Sequence, residues 1–456
     1  VKVIDGATLP IYSWASELEP GALAQAVNCA NLPRAFHHLA VMADGHQGYG
    51  VPIGAVLALD GALSPYAVGN DIGCGMALVA TSLTREDLAR PIATRSGHPG
   101  QTTRDDIIGS VQRAIPAGPD SHGDRSHRRD RDVDDLLDTA FDAMDEAATG
   151  CAVPLSTSQS TDAAPGKPLT RADLVLRGRT QLATLGSGNH FIELLAGPEG
   201  DVWVLVHSGS RGVGGLICAN FHRLALAHCA AQGVPLDDPG LAWLPVASTD
   251  NRQPAPWDVA GRCYERAMQA ALAYAELNRH RMLETIGVAI ERRHPGVMRW
   301  NEMVNIHHND AVCEEHYDRW VWVHRKGAVK ATVGTATITP GSMGTGSILG
   351  RGLGSPASFC SAAHGAGRAL SRSRARRELS LDHELMTVRA AGGKVFATST
   401  QAVLDEMPGA YKDLDEVMAQ QADLVEPVRR FTPVGTYKGV DRRPGGRSRR
   451  RVTGER

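Results

Sequence analysis

A chain of 456 residues that is 42% hydrophobic can bury a sizeable core, as one large domain or two to three ordinary ones. Its net charge is −2, so the field of the whole molecule does not draw in a polyanion, and any nucleic acid must be held by a local basic patch. No run approaches the roughly 18 apolar residues of a membrane span, and the first residues lack the charged-then-apolar order of a signal peptide, so a cytoplasmic protein with no membrane partner is the expectation. The cysteines, at 29, 74, 151, 218, 229, 263, 313 and 360, are scattered without a CxxC pair, which fits reduced thiols.

Residues 36–60 read as strand, loop, strand: apolar runs at 36–42 and 51–59 flank a Gly-rich polar stretch at 43–50 that carries Asp44 and His46. On their own these two read as turn formers and hydrogen-bonding groups. Next, residues 67–76, Ala-Val-Gly-Asn-Asp-Ile-Gly-Cys-Gly-Met, put the Asp71 carboxylate and the Cys74 thiol three residues apart among glycines, whose backbone can pass close to a metal or phosphate. Both can bind one metal. The pair also reads as a plain turn with a buried thiol. Residues 104–114 have helical spacing, broken at 115–119. The stretch 118–132 is polar and mixed in charge, so a solvated loop is expected there, with His122 and His127 facing solvent. An amphipathic helix over 133–148 follows, then a Ser/Thr/Pro/Gly-rich loop over 151–170.

Residues 182–194 set Asn189 and His190 at the start of an apolar strand, and the buried-strand pattern at 202–206 ends in His207-Ser-Gly-Ser-Arg-Gly212. A long helix is expected over 257–291, with Ala260, Cys263, Ala267, Ala271, Tyr274 and Leu277 as its core-facing stripe. Asn278-Arg-His-Arg281 at its middle reads either as a phosphate contact or as a solvated face. In 304–310 two histidines stand in tandem, and alternation along a strand lets at most one of His307 and His308 join the other ligands. The glycine-rich stretch 339–354 is neither a Walker loop nor a Rossmann fingerprint, yet its backbone N–H groups can cradle phosphates. His364 is flanked by small residues, which leaves its ring accessible, as a nucleophile requires. By softness alone the thiol and imidazoles suit zinc.

Taken together and in order, the segments 42–50 (Met-Ala-Asp-Gly-His-Gln-Gly-Tyr-Gly), 68–75, 185–190, 207–212, 307–309, 340–345 and 364–368 (His-Gly-Ala-Gly-Arg) resemble the successive motifs of the RtcB RNA-splicing ligase family, over residues 1–439. The resemblance implies a mixed α/β (α+β) fold: a single catalytic domain with a central metal and nucleotide cleft. Residues 440–456 form a basic tail, expected to be disordered. It further implies that Asp71, Cys74, His190, His207 and His308 hold two manganese ions, and that His364 attacks the α-phosphate of GTP. Asn189, Glu193, His308, Asn309, Pro340, Gly341, Ser342, Met343, Gly365, Ala366, Gly367, Tyr411 and Lys438 then fall in the nucleotide site, with Glu193 reading the guanine edge. Arg211, Arg368 and Arg372 are the matching candidates for RNA phosphates, a task the forked guanidinium suits.

The implied reaction joins RNA ends bearing a 3'-phosphate or 2',3'-cyclic phosphate to 5'-hydroxyl ends, with an archease-like activator as a candidate partner. Two rival readings stand beside it. One is a manganese-dependent RNA-end phosphatase or cyclic phosphodiesterase, which needs neither His364 nor Glu193; the other is a noncatalytic RNA-end-binding protein. Three positions depart from the family's usual pattern: Ala43, Asn70 and Asp310. Of these, Asp310 is expected to set an extra carboxylate beside the site.

Overall fold

Apolar runs of alternating or continuous pattern pair here into two sheets. The computed structural model describes residues 1–92, 101–119, 121–122, 130–160, 166–246, 256–397 and 399–440. In the six-stranded sheet the order is Lys2–Ile4, Ile11–Ser13, Ala35–Tyr49, Val51–Leu59, Arg319–Lys326 and Asn309–His316. The larger sheet runs Met298–His307, Gly75–Thr84, Asp201–Ser208, Phe191–Ala196, Val425–Lys438, Ser347–Gly352 and Ala336–Pro340, with Val395–Ala397 paired parallel to Val425–Lys438. Asp201–Ser208 is buried along nearly its whole length, as its continuous run of Val, Trp and Leu requires of a central strand.

One residue joins the two sheets. Met298–His307 ends the path of the larger sheet, Asn309–His316 begins in the smaller one, and His308 lies between them. Its backbone is fixed from both sides: His308 N donates to the Cys74 carbonyl (2.9 Å) and its own carbonyl accepts from Ala328 N (3.1 Å). The chain turn that changes sheets thereby aims the imidazole inward.

The helices Arg131–Cys151, Arg211–Ala231 and Pro256–Glu291 pack together over one core cluster. Ala260, Cys263, Ala267, Ala271 and Tyr274 are buried, as their spacing predicts, and the small residues let the helices approach closely. Thr102 and Thr170 close capping boxes that start Thr103–Ala114 and Arg171–Gln181. Among the described residues no helix is long and apolar enough to cross a membrane.

Several sequence expectations are corrected. Residues 43–49 are not a loop: they continue the strand Ala35–Tyr49, bulged against Val51–Leu59, because ladder pairing on both flanks overrides their glycines. The helix expected at 133–148 runs over Arg131–Cys151, taking the end of the polar stretch with it. His122 does not face solvent freely; it is half-buried, and its N–H donates to the Thr180 carbonyl at 3.0 Å. His127, and the basic tail beyond Val440, lie outside the described residues, while Val440 itself is buried. In the 151–170 loop the described ends fold back on each other through a bridge between Ser156 and Pro168.

Candidate active site

The metal-type donors converge from strand ends. Cys74 Sγ lies 3.4 Å from His190 Nε2 and 3.3 Å from His207 Nε2. His207 Nε2 is 3.3 Å from His308 Nε2, and Asp71 Oδ2 is 2.9 Å from His190 Nε2. Two of the rings are held by their far nitrogens: His190 Nδ1–H donates to the Leu185 carbonyl (2.9 Å) and His207 Nδ1–H to the Asn189 carbonyl (3.2 Å). That turns both Nε2 atoms toward Cys74, the arrangement of a ligating imidazole with an outer-shell acceptor, with His190 Nε2 donating to Asp71 here and free to ligate on giving up that proton.

Electrostatics favour a cation in their midst. Burial, helped by neighbouring positive groups, pushes His207 and His308 well below the usual histidine range, so both rings stay neutral and able to ligate. Burial and the adjacent Asp71 push the Cys74 thiol well above its usual range; only a nearby positive charge would favour its thiolate. Burial works against the Asp71 carboxylate too, but the His190 hydrogen bond and charge outweigh it and keep its pKa below normal. Cys74, His190 and His207 thus form a cluster able to hold a metal ion, with Asp71 beside His190 and His308 beside His207.

The frame under these donors includes a residue that the sequence reading left ambiguous. Arg279 is fully buried and donates from Nη1 to the carbonyls of Gly73 (2.7 Å) and Ser208 (3.0 Å), and from Nε to Asn305 Oδ1 (2.7 Å). Its Nη2 donates to His307 Nδ1 at 3.1 Å, which turns His307 aside while His308 joins the cluster. Asn278 is likewise buried and donates to the carbonyls of Thr184 and Gly209. Neither residue is a phosphate contact or a solvated face. A Cβ at Gly209 would collide with the Asp71 carboxylate, which explains why a glycine stands two residues after His207.

Across the cavity from the donors, His364 follows the strand Ser361–Ala363. Its Nδ1 lies 2.6 Å from Oδ2 of Asp44, a carboxylate with no solvent exposure, and its ring centroid is 4.6 Å from that of His308. The Asp44 contact leaves Nε2 as the nitrogen available for chemistry. A cavity of about 840 Å³ is lined by Asp71, Cys74, Asn189, His207, His308, Asn309, His364, Gly365, Ala366 and Gly367 from this centre, and by Arg368, Arg372 and Tyr411 further out. Asn309 braces it, its Nδ2 donating to the Asp71 carbonyl (3.1 Å) and its Oδ1 accepting from Gly327 N (2.8 Å).

A narrow recess of about 20 Å³ opens off this cavity, sharing Phe191, Pro340, Gly341 and Tyr411 with it and adding Glu193, Ser342, Met343, Glu406 and Lys438. Glu193 accepts from Thr436 Oγ1 at 2.6 Å, and burial pushes its carboxyl up to about 7. Lys438 Nζ donates to the Gly188 carbonyl (2.9 Å) and to Glu406 Oε2 (3.0 Å). Ser342 shapes the glycine-rich turn, its Oγ accepting from Gly344 N at 3.2 Å.

Of the arginines named from sequence, Arg368 and Arg372 border the cavity, and Arg211 does not. The Arg211 guanidinium reaches Thr184 Oγ1 (3.3 Å) and the Gly118 carbonyl (3.5 Å). Asp310 is also turned away. Successive side chains alternate along Asn309–His316, so Asp310 points opposite to Asn309, is buried, and feels the charges of Arg325, Glu314 and Lys330. It places no extra carboxylate at the metal donors. Asn70 is exposed, which accommodates its polar side chain.

Sequence reasoning left Asp44 and Arg279 without their roles and did not single out Glu406. Asp44 is 320 positions from its partner His364 and resembled an ordinary turn residue, although its Asp-Gly-His setting was the available signal. Glu406 and Arg279 carry no local spacing signal at all.

The fold and site define a class: a mixed α/β enzyme with a cysteine–histidine metal-site cluster beside a deep cavity. The profile of the tRNA-splicing ligase RtcB family matches residues 25–439. An RNA-splicing ligase RtcB of Escherichia coli is 34% identical over 441 residues, covering 94% of this chain and 97% of that protein. A tRNA-splicing ligase RtcB of Thermococcus kodakarensis is 34% identical over 461 residues, covering 91% of each, and an RNA-splicing ligase RtcB of Mycobacterium tuberculosis is 33% identical over 455 residues, covering 91% of this chain and 100% of that protein. The chain belongs to the RtcB family of RNA ligases.

Proposed function

We propose that the protein is a GTP- and manganese-dependent ligase that joins RNA 3'-phosphate or 2',3'-cyclic phosphate ends to 5'-hydroxyl ends. The observation that carries the reading is His364: an imidazole backed at 2.6 Å by a buried carboxylate, facing the metal-type donors across a cavity that leads to Glu193. Asp71, Cys74, His190, His207 and His308 would hold the two manganese ions, which supply positive charge to screen the triphosphate and align attack with departure.

His364 Nε2 attacks the α-phosphorus of GTP; a P–N bond forms and the bond to the pyrophosphate oxygen breaks. Asp44 holds the ring through Nδ1–H and stabilises the positive charge that the ring acquires. An RNA 3'-phosphate oxygen then takes the guanylate, breaking the P–N bond and restoring His364. The 5'-hydroxyl finally attacks the activated 3'-phosphate, losing its proton as GMP leaves. A cyclic phosphate end is first hydrolysed. Glu193, once ionised, accepts the N–H donors of guanine; adenine presents the wrong pattern and leaves the carboxylate unpaired, which favours GTP. Arg368 and Arg372 receive RNA phosphates. An archease-like activator is the partner to add if turnover stalls after one cycle.

The test is incubation with manganese and GTP labelled on the α-phosphate, beside a His364→Ala variant. Acid-labile label that survives denaturation on the wild type alone is the expected result. Manganese binding without label at any pH overturns the ligase reading and favours hydrolysis of cyclic phosphate ends.

A further inference from the structure

Glu406 is buried, and all of its acceptor capacity is in use. Oε2 accepts from Tyr411 Oη (2.5 Å) and Lys438 Nζ (3.0 Å), while Oε1 accepts from Arg368 Nη1 (3.1 Å) and Arg372 Nη1 (2.8 Å). A carboxylate has about four lone-pair sites, so the four partners fill it and share its one charge. Two of these partners, Tyr411 and Lys438, wall the recess; the other two border the open cavity. Arg368 and Arg372 are further tied down by the neighbouring Asp405, through its carbonyl (2.6 Å) and its Oδ2 (3.1 Å) respectively. In this state both guanidinium groups are paired with protein carboxylates, which Arg376 and Lys438 share and which compete with any incoming phosphate.

The recess supplies the second observation. At about 20 Å³ it has room for roughly one water, far less than a purine needs, so a base enters only as the wall moves. Moving Tyr411 or Lys438 necessarily strains the bonds to Glu406.

We propose that Glu406 is a positioning residue that relays purine entry to the RNA-binding arginines: it restrains Arg368 and Arg372 while the recess is empty and releases them to RNA end phosphates when a guanine seats. The inference rests on the ligase reading above, in which the nucleotide already reacts before RNA, and adds a physical coupling between the two sites. It also gives the short segment around residues 401–411 a role in coupling.

The test uses the full chain with manganese and a 5'-dye-labelled RNA ending in a 3'-phosphate, which has no 5'-hydroxyl partner to join. Affinity is read by fluorescence anisotropy with and without saturating guanosine, which carries no phosphate to compete. In the wild type, guanosine should tighten RNA binding about fivefold or more, within the usual range for coupled sites. It should also steepen the slope of log Kd against log salt by about 1.4, roughly 0.7 for each arginine released onto a single strand. Glu406→Gln should bind RNA more tightly than the wild type without guanosine and gain less than about twofold when guanosine is added. A merely structural residue would instead weaken binding when altered. Weaker RNA binding by a folded Glu406→Gln protein overturns the proposal. So does a wild type that binds both ligands with neither the affinity gain nor the steeper slope, a result that stands even where the variant does not fold. A wild type that binds no guanosine and takes no label ends the ligase reading itself, whereas label without coupling removes this relay alone.

Discussion

The two ends of the cavity are built by different means. At the metal-type donors, side chains leave strand ends and are fixed by backbone: His190 and His207 by carbonyls, and the two glycine-rich turns by Arg279. At the nucleotide end, Tyr411, Lys438, Arg368 and Arg372 are held by the charge of Glu406 and Asp405 on 3-10 turns and loops. A centre that must keep several donors within bonding distance of one another is served by rigid strands. A pocket that must open for a base is served by side-chain contacts on short turns, whose partners a ligand can replace without breaking a strand ladder.

Several perturbations can break or sharpen this contrast. Cys74→Ser, at the rigid end, should abolish bound metal and guanylate label together, read by elemental analysis and by labelling. Asp44→Asn leaves every metal donor in place and should lower the rate of His364 labelling by about 10²- to 10⁴-fold at unchanged metal content, since an amide cannot stabilise the charged ring as a carboxylate does. Arg279→Met strips the donors from two buried carbonyls and should cost about 3 kcal/mol in urea unfolding, with metal loss in step.

At the adjustable end, pH is the probe. Burial raises the Glu193 carboxyl to about 7, so below that value it is protonated and cannot accept both guanine donors. Guanosine binding should tighten by up to about tenfold per unit as pH rises toward 7 and then level off. The sign for the empty protein is opposite: a raised carboxyl pKa means that stability is lost as pH climbs through about 7. Calorimetric titration across pH 5.5–8.5 checks both slopes. Smallest of all should be the effect of Asp310→Asn on the site, since its side chain faces away: metal content and labelling rate should stay within about twofold of wild type, about 0.4 kcal/mol or less.

Much of the frame is legible in the order of residues. The helix expected at 257–291 is Pro256–Glu291, and the apolar run at 202–206 is the buried centre of Asp201–Ser208, because burial on a periodic face writes itself into the chain. Asp71, Cys74, His190 and His207 also stand out, each beside a glycine turn, and His308 stands in a tandem pair of histidines. Pairings between distant positions leave no such trace. Asp44 with His364, or Glu406 with four partners at once, can be read only after the sheets have brought them together. The glycines of residues 43–49 mislead for a related reason, since strand pairing imposed from outside decides their conformation.

The position of the strand Val425–Lys438 has a consequence for synthesis. It is made after every other strand among the described residues, yet it lies inside the larger sheet, between Phe191–Ala196 and Ser347–Gly352, and it ends in the lysine that walls the recess. A nascent chain therefore displays Cys74, His207, His308 and even His364 well before the sheet can close around a base. Until that strand is made the chain carries two unpaired strand edges, a hazard for aggregation that Val425–Lys438 removes at the same moment as it completes the pocket.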